Sequence, residues 1–278
     1  MKPFEVTKGI FMVGGPEMTD GRDACVYLLD LGELILIDSG AGWSVDQIQG
    51  NIEKLGFDCS KLSKLILTHC HIDHIGGAPQ LRKRFGITIY IHKLDAPPLE
   101  TGDPVLTAAT WYNTTFPPMS VDVKFNMSKE VLTIGDNKLI CLHTPGHTPG
   151  SISLYLDREG ERILFGQDLH GPILKEFGSD LTQWDLSTQE LLKLDADILC
   201  EGHFGVYRSK KEVTNYIRSL RVQYKVEYFP RFFSQLNPSL SFQSASFFNP
   251  TNGNISPYFV KKFKAINAGL VASDINLL

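Results

Sequence analysis

Directly after the apolar run at residues 65–67 the chain reads Thr68-His69-Cys70-His71-Ile72-Asp73-His74. Three imidazoles and one carboxylate stand within six residues, on what the pattern predicts is the loop at the carboxyl end of a strand. Such a loop can project several side chains into one cavity, and imidazoles beside a carboxylate suit Zn, Fe or Mn. The other histidines are unevenly placed as well. His92, His143, His147, His170 and His203 complete a total of eight, and the first 68 and last 75 residues hold none. Histidine is both a common metal ligand and a proton carrier, so this clustering points to chemistry in the middle of the chain.

Outward from that motif the chain alternates between two periods. Short apolar, β-branched runs at residues 10–13, 25–29, 34–37, 65–67 and 87–91 are separated by turn signals such as Gly14-Gly15 and Ser39-Gly40, the punctuation of strands. Between them Val45, Ile48, Ile52 and Leu55 recur at helical spacing, and residues 78–85 read as a second, shorter helix. Further strands are expected at 131–134, 138–142, 151–156, 162–165 and 197–200, and a helix from 210 to about 228. The order of strands, helices, strands and helices predicts an α/β sandwich, sheets packed together with helices outside. Neither a repeat nor a clean linker divides the chain, so one domain over residues 1–278 is expected. Residues 229–263 hold 8 of the 17 Phe with four Pro and little charge, which argues against disorder. The segment 229–278 is expected to pack on the main body as a lid or an oligomer contact, which makes a homo-oligomer an expected state.

Composition excludes several classes. The chain has 278 residues, 42% hydrophobic and 21% charged, with a formal net charge of −4, which describes an ordinary globular protein without a basic surface. Nucleic acid is therefore not an expected partner. The N-terminus lacks a long apolar stretch followed by a small-residue cleavage site, and no window approaches the roughly 18 apolar residues of a membrane span. A cytoplasmic protein that does not cross the membrane is expected. The five cysteines are an odd number, widely spaced and without a CxxC pair, which reads as reduced thiols.

Five motifs in order resemble those of the metallo-β-lactamase superfamily: Asp38-Ser39-Gly40; His69-x-His71-x-Asp73-His74-x-x-Gly77; His143-Thr144-Pro145-Gly146-His147-Thr148-Pro149-Gly150-Ser151; Gly166-Gln167-Asp168; and Gly202-His203-Phe204-Gly205. The resemblance covers most of residues 20–205. It implies an αββα sandwich of two mixed β-sheets flanked by helices, with a centre of two divalent metal ions, zinc first and iron or manganese next. Carried over by position, it places His69, His71 and His147 on the first metal, Asp73, His74 and His203 on the second, and Asp168 between them. His143 is expected to support the ligands through a hydrogen bond, His92 to be structural, and His170 to face the substrate pocket.

The resemblance implies a hydrolase in which a metal-bridging hydroxide attacks a carbonyl, oriented by Asp73 as the catalytic residue. The bridging position of Asp168 is similar to that in glyoxalase II and the lactonases. Gly171 stands where homoserine-lactone hydrolases usually carry a Tyr, and the C-terminal segment lacks the basic glutathione-binding pair of glyoxalase II. A small-molecule substrate, an ester, thioester or lactone, is the expectation. The alternative is a mononuclear iron enzyme resembling the persulfide dioxygenases, with His69, His147 and Asp168 as its ligands.

Overall fold

A computed structural model describes residues 1–228. The expected lid or oligomer contact at 229–278 lies outside them. The first half of the chain forms β1 (Phe4–Thr7), β2 (Ile10–Gly14), β3 (Val26–Asp30), β4 (Leu34–Ile37), α1 (Val45–Lys54), β5 (Leu62–Ile66), α2 (Ile72–Ile75), α3 (Ala78–Phe85), β6 (Thr88–His92), α4 (Ala96–Thr101) and β7 (Val123–Phe125). Its seven strands lie side by side in chain order, antiparallel from β1 to β4 and parallel from β4 to β7. The second half forms β8 (Lys129–Ile134), β9 (Asn137–His143), β10 (Ile152–Arg158), β11 (Glu161–Gln167), α5 (Leu181–Lys193), β12 (Ile198–Glu201), β13 (Val206–Arg208) and α6 (Lys210–Tyr228). These strands make a six-stranded sheet in the order β13-β12-β11-β10-β9-β8, in which only β11 and β12 run parallel. The two mixed sheets with flanking helices are the sandwich that the sequence predicts.

Side-chain alternation builds the layers. In β4, Ile35 and Ile37 point into the space between the sheets, where they meet residues such as Leu154, Ile163 and Phe165. Leu34 and Leu36 of the same strand point the other way, onto Val45, Ile48 and Ile52 of α1 and Leu81 of α3. The second sheet does likewise: Ile163, Phe165, Ile198 and Cys200 face inward. Leu164 and Leu199 face outward onto Trp184 and Leu191 of α5 and Ile217 and Leu220 of α6. Each of these fully buried aliphatic side chains contributes about 1.5–3 kcal/mol relative to exposure.

Three strands and three helices were not legible in the sequence: β1, β7 and β13, the short helices α2 and α4, of which α2 lies where a loop is expected, and α5. In β1 only Val6 is buried, so it carries no alternating pattern, while β7 and β13 have three residues each. Helix α5 begins at Asp180, whose side chain accepts from the Gln183 amide at 3.0 Å. This N-cap signal lies in the sequence, and the helix it opens buries Trp184, Ser187, Thr188 and Leu191.

Candidate metal centre

The loops after β5, β9, β11 and β12 meet at one edge of the sandwich. Sheet one delivers His69, His71, Asp73 and His74 on the turn into α2. Sheet two delivers His147 from the β9–β10 loop, Asp168 directly after β11, and His203 just after β12. Because β11 and β12 are parallel, with Gln167 opposite Glu201, their carboxyl ends set Asp168 and His203 side by side. The halves are sewn together here: the Ile152 amide donates to Thr68 O at 2.9 Å and the Cys25 amide to Gly202 O at 2.6 Å. The Gly76-Gly77 pair allows the closest approach in the loop, since a Cβ would stand 2.3 Å from the Ala41 carbonyl at the first and 2.3 Å from Ser39 O at the second.

Two donor groups result. His69, His71 and His147 form one; Asp73, His74, Asp168 and His203 form the other, and within each group the donor atoms lie within 4.8 Å of one another. Asp168 stands between them. Its Oδ1 is 3.1 Å from His74 Nε2, and its Oδ2 is 3.3, 3.6 and 3.9 Å from the Nε2 atoms of His203, His147 and His69. Asp73 Oδ2 lies 3.2 Å from His203 Nε2.

The surroundings fix which ring nitrogen faces inward. His74 Nδ1 donates to Asp38 Oδ2 at 2.7 Å, and His147 Nδ1 donates to Pro172 O at 2.9 Å. Thr68 gives its amide and hydroxyl protons to Asp38, both at 2.8 Å, so its oxygen accepts from His69 Nδ1 at 3.1 Å. The Nε2 atoms of His69, His74 and His147 are thereby turned to the centre. His69 Nε2, His74 Nε2 and Asp168 Oδ1 are buried without an aligned hydrogen-bond partner, even though the last two are only 3.1 Å apart. His71 Nδ1 and His147 Nε2 face each other at 2.9 Å. An orphaned buried polar atom costs about 1–3 kcal/mol. Several converging on two points fit cations there, and imidazole with carboxylate is the donor set that zinc, iron or manganese takes.

Electrostatics divide the groups. Burial, and after it the neighbouring imidazoles, holds His69 well below the usual histidine range; burial followed by His147 does the same for His71, and burial lowers His147 to about 4. These three rings are neutral at pH 7. For His74 and His203 burial also opposes charge, but Asp168 leads the carboxylates that outweigh it and keep both well above the usual range. Asp73 and Asp168 stay ionised, because the imidazolium groups beside them overcome the effect of burial.

Other sequence-selected residues take supporting places. His143 Nε2 bonds Pro149 O at 2.9 Å, within the loop that carries His147, and its ring stacks on His92 with centroids 3.9 Å apart. Cys70 turns away from the donors and gives its thiol proton to Leu106 O at 3.3 Å. His170 belongs to neither donor group. Its Nδ1 donates to buried Glu201 at 3.0 Å, and its ring lies 5.0 Å from that of His203.

Asp95 has no signal in the sequence, yet it ties the two ligand loops together. It accepts from the Cys70 amide at 3.0 Å, from Thr148 Oγ1 at 2.6 Å and from the Gly150 amide at 2.6 Å. Tyr112 and Phe177 also reach the centre from loops without a motif: the Tyr112 phenol faces Asp73, and the Phe177 ring lies edge-on to His71 at 4.6 Å.

A two-sheet sandwich with two His/Asp groups at one edge defines a class of metal-dependent hydrolases. The chain belongs to the metallo-beta-lactamase superfamily, whose model matches residues 19–203. It is 30% identical over 190 residues to the hydroxyacylglutathione hydrolase GloC of Haemophilus influenzae, covering 62% of this chain and 80% of that protein. Over 256 residues it is 27% identical to the acyl-coenzyme A thioesterase MBLAC2 of Homo sapiens, covering 80% and 88% of the two chains. Among solved structures, a metallo-beta-lactamase from Cronobacter sakazakii with a mutated HARLDQ motif superposes with a TM-score of 0.71 at 23% identity, over 84% of this chain and 99% of that one. That likeness concerns the fold. Among the described residues, no helix is long and apolar enough to cross a membrane.

Proposed function

We propose that this metallo-hydrolase cleaves small thioesters, with simple esters and lactones as related substrates. The observation that carries the reading is the place of Asp168: one carboxylate with an oxygen toward each donor group, which is what two cations sharing a ligand require. Support for the thioester comes from the relatives, since hydroxyacylglutathione and acyl-coenzyme A are both thioesters.

In this reading His69, His71 and His147 hold one divalent ion, Asp73, His74 and His203 hold the other, and Asp168 serves both. Zinc is the first choice, with iron or manganese next. Two such ions, when bound, supply Lewis acidity and lower the pKa of a coordinated water toward about 7. The protein's own part is orientation. Asp38, Thr68 and Pro172 fix the imidazoles, and Asp73, beside His203, would orient the attacking water by a hydrogen bond. His170, beside His203 and anchored to Glu201, contacts the substrate at the rim.

The test is a panel of S-lactoylglutathione, acetyl-coenzyme A, 4-nitrophenyl acetate and a γ-lactone, offered to zinc-loaded protein. Turnover of a thioester at the highest kcat/KM is expected, abolished by a chelator and restored by zinc. Inactivity on every member, or activity indifferent to chelation, contradicts the reading.

A further inference from the structure

The loop between α4 and β7 carries a one-turn 3-10 helix, Ala109–Tyr112, whose last residue sets its phenol beside Asp73. It is bracketed by Ala108 at φ 54° and Asn113 at φ 51°, two non-glycine residues in the left-handed region. Such conformations cost of order 1–3 kcal/mol each and persist only where the surroundings impose them.

The surroundings do so here. The Ile72 amide of the ligand segment donates to Thr107 O at 2.7 Å, and the Cys70 thiol donates to Leu106 O at 3.3 Å. Trp111 sets its ring against Phe177 at 4.9 Å and gives its indole N–H to Glu176 at 3.1 Å, while Phe177 rests on His71. At the end of this brace Tyr112 packs its ring on the core outside sheet one and turns its hydroxyl to the Asp73 carboxylate, with Asp168 and Asp23 beyond. A phenylalanine would fill the same packing position, so the fold does not need the hydroxyl.

We propose that Tyr112 is a catalytic hydrogen-bond donor, whose O–H turns from Asp73 to the carbonyl oxygen of the bound substrate and stabilises the negative charge that develops there. The proton stays on the phenol throughout, and no bond to it forms or breaks. A donor held on a backbone already fixed in place acts without reorganisation at the moment of reaction, which is where such groups have most effect. The proposal rests on the hydrolase reading of the same centre.

The test compares Y112F with wild type, both zinc-loaded, on S-lactoylglutathione and 4-nitrophenyl acetate. It adds zinc content by elemental analysis and calorimetric binding of methylphosphonate, a tetrahedral anion, against acetate. The expected result is a fall in kcat of about 10²-fold with KM within about two-fold, the range typical of losing one such donor. Zinc content should be unchanged, and methylphosphonate should weaken more than acetate. Equal kcat in the two proteins overturns the proposal alone, leaving the hydrolase reading intact. A fall in activity matched by a fall in zinc content also overturns it, because Tyr112 would then only position Asp73. A wild type inactive on both esters overturns the hydrolase reading, and the proposal with it.

Discussion

His74 gives its Nδ1 proton to Asp38 across 2.7 Å, although 36 residues separate them. Asp38 sits at φ 60° just beyond β4, and its two oxygens also accept both protons of Thr68, which orients His69. One buried carboxylate thus aims an imidazole in each donor group. Replacing Asp38 by Ala is expected to lower zinc affinity about 10- to 100-fold, the usual effect of removing such a partner. Competition against a chromophoric chelator measures it, and unchanged affinity would show that Asp38 does not orient His74.

Asp95 predicts a stability effect separate from the ligands. Asp95→Ala leaves the Cys70 amide, the Gly150 amide and the Thr148 hydroxyl without their buried acceptor. A loss of about 3 kcal/mol is expected after partial relaxation. It should be read as a lower urea midpoint with an unchanged m-value. A midpoint equal to that of wild type would mean that the clamp is not needed.

Loading with metal should release protons. In the metal-free protein Asp168 and the other carboxylates raise His74 and His203, which are therefore protonated at neutral pH, whereas His69, His71 and His147 are lowered and already neutral. Zinc competes only with the protons on the first pair. Uptake near pH 7 is expected to release about two protons per chain from the histidines and up to about one more from a coordinated water, and affinity should rise with pH. Indicator dye in weak buffer reads the release, and a value near zero contradicts the assignment.

His92 sets part of the acid limb of stability. Burial, and then His143 against which it stacks, lowers it to about 4. Its unfolded value is about 6.5, so between those two values the unfolded chain binds the extra proton and stability falls as pH falls. In the metal-loaded protein, His92→Phe should flatten the stability profile by up to one proton, about 1.4 kcal/mol per pH unit, within that window. Superimposable slopes would show that His92 does not titrate there.

Much of this was legible in the sequence, for identifiable reasons. Strand β4 announces itself because its whole length, Leu34 to Ile37, is apolar and buried on both faces between helices and the opposite sheet, and β6 because the β-branched Ile89 and Ile91 alternate along it. The donor groups were legible because four of their seven members fall within six residues and the rest sit in glycine-rich loops. Asp95, Tyr112 and Phe177 were not. Each reaches the centre by tertiary placement, from a loop whose local sequence carries neither a metal-ligand spacing nor a periodic pattern. Helix α5 was missed although Asp180 and Gln183 mark its start, because its buried positions mix Trp184 and Leu191 with Ser187 and Thr188 and weaken the apolar stripe.

The central claim is that Asp168 joins two divalent ions in one hydrolytic centre. Elemental analysis of protein purified without added metal, run beside the thioester assay for wild type and Asp168→Ala, tests it most directly. The account predicts about two equivalents of metal per wild-type chain, with metal and turnover lost together in the variant. A single iron per chain with oxygen uptake on glutathione persulfide, or hydrolysis that survives the loss of Asp168, would contradict it.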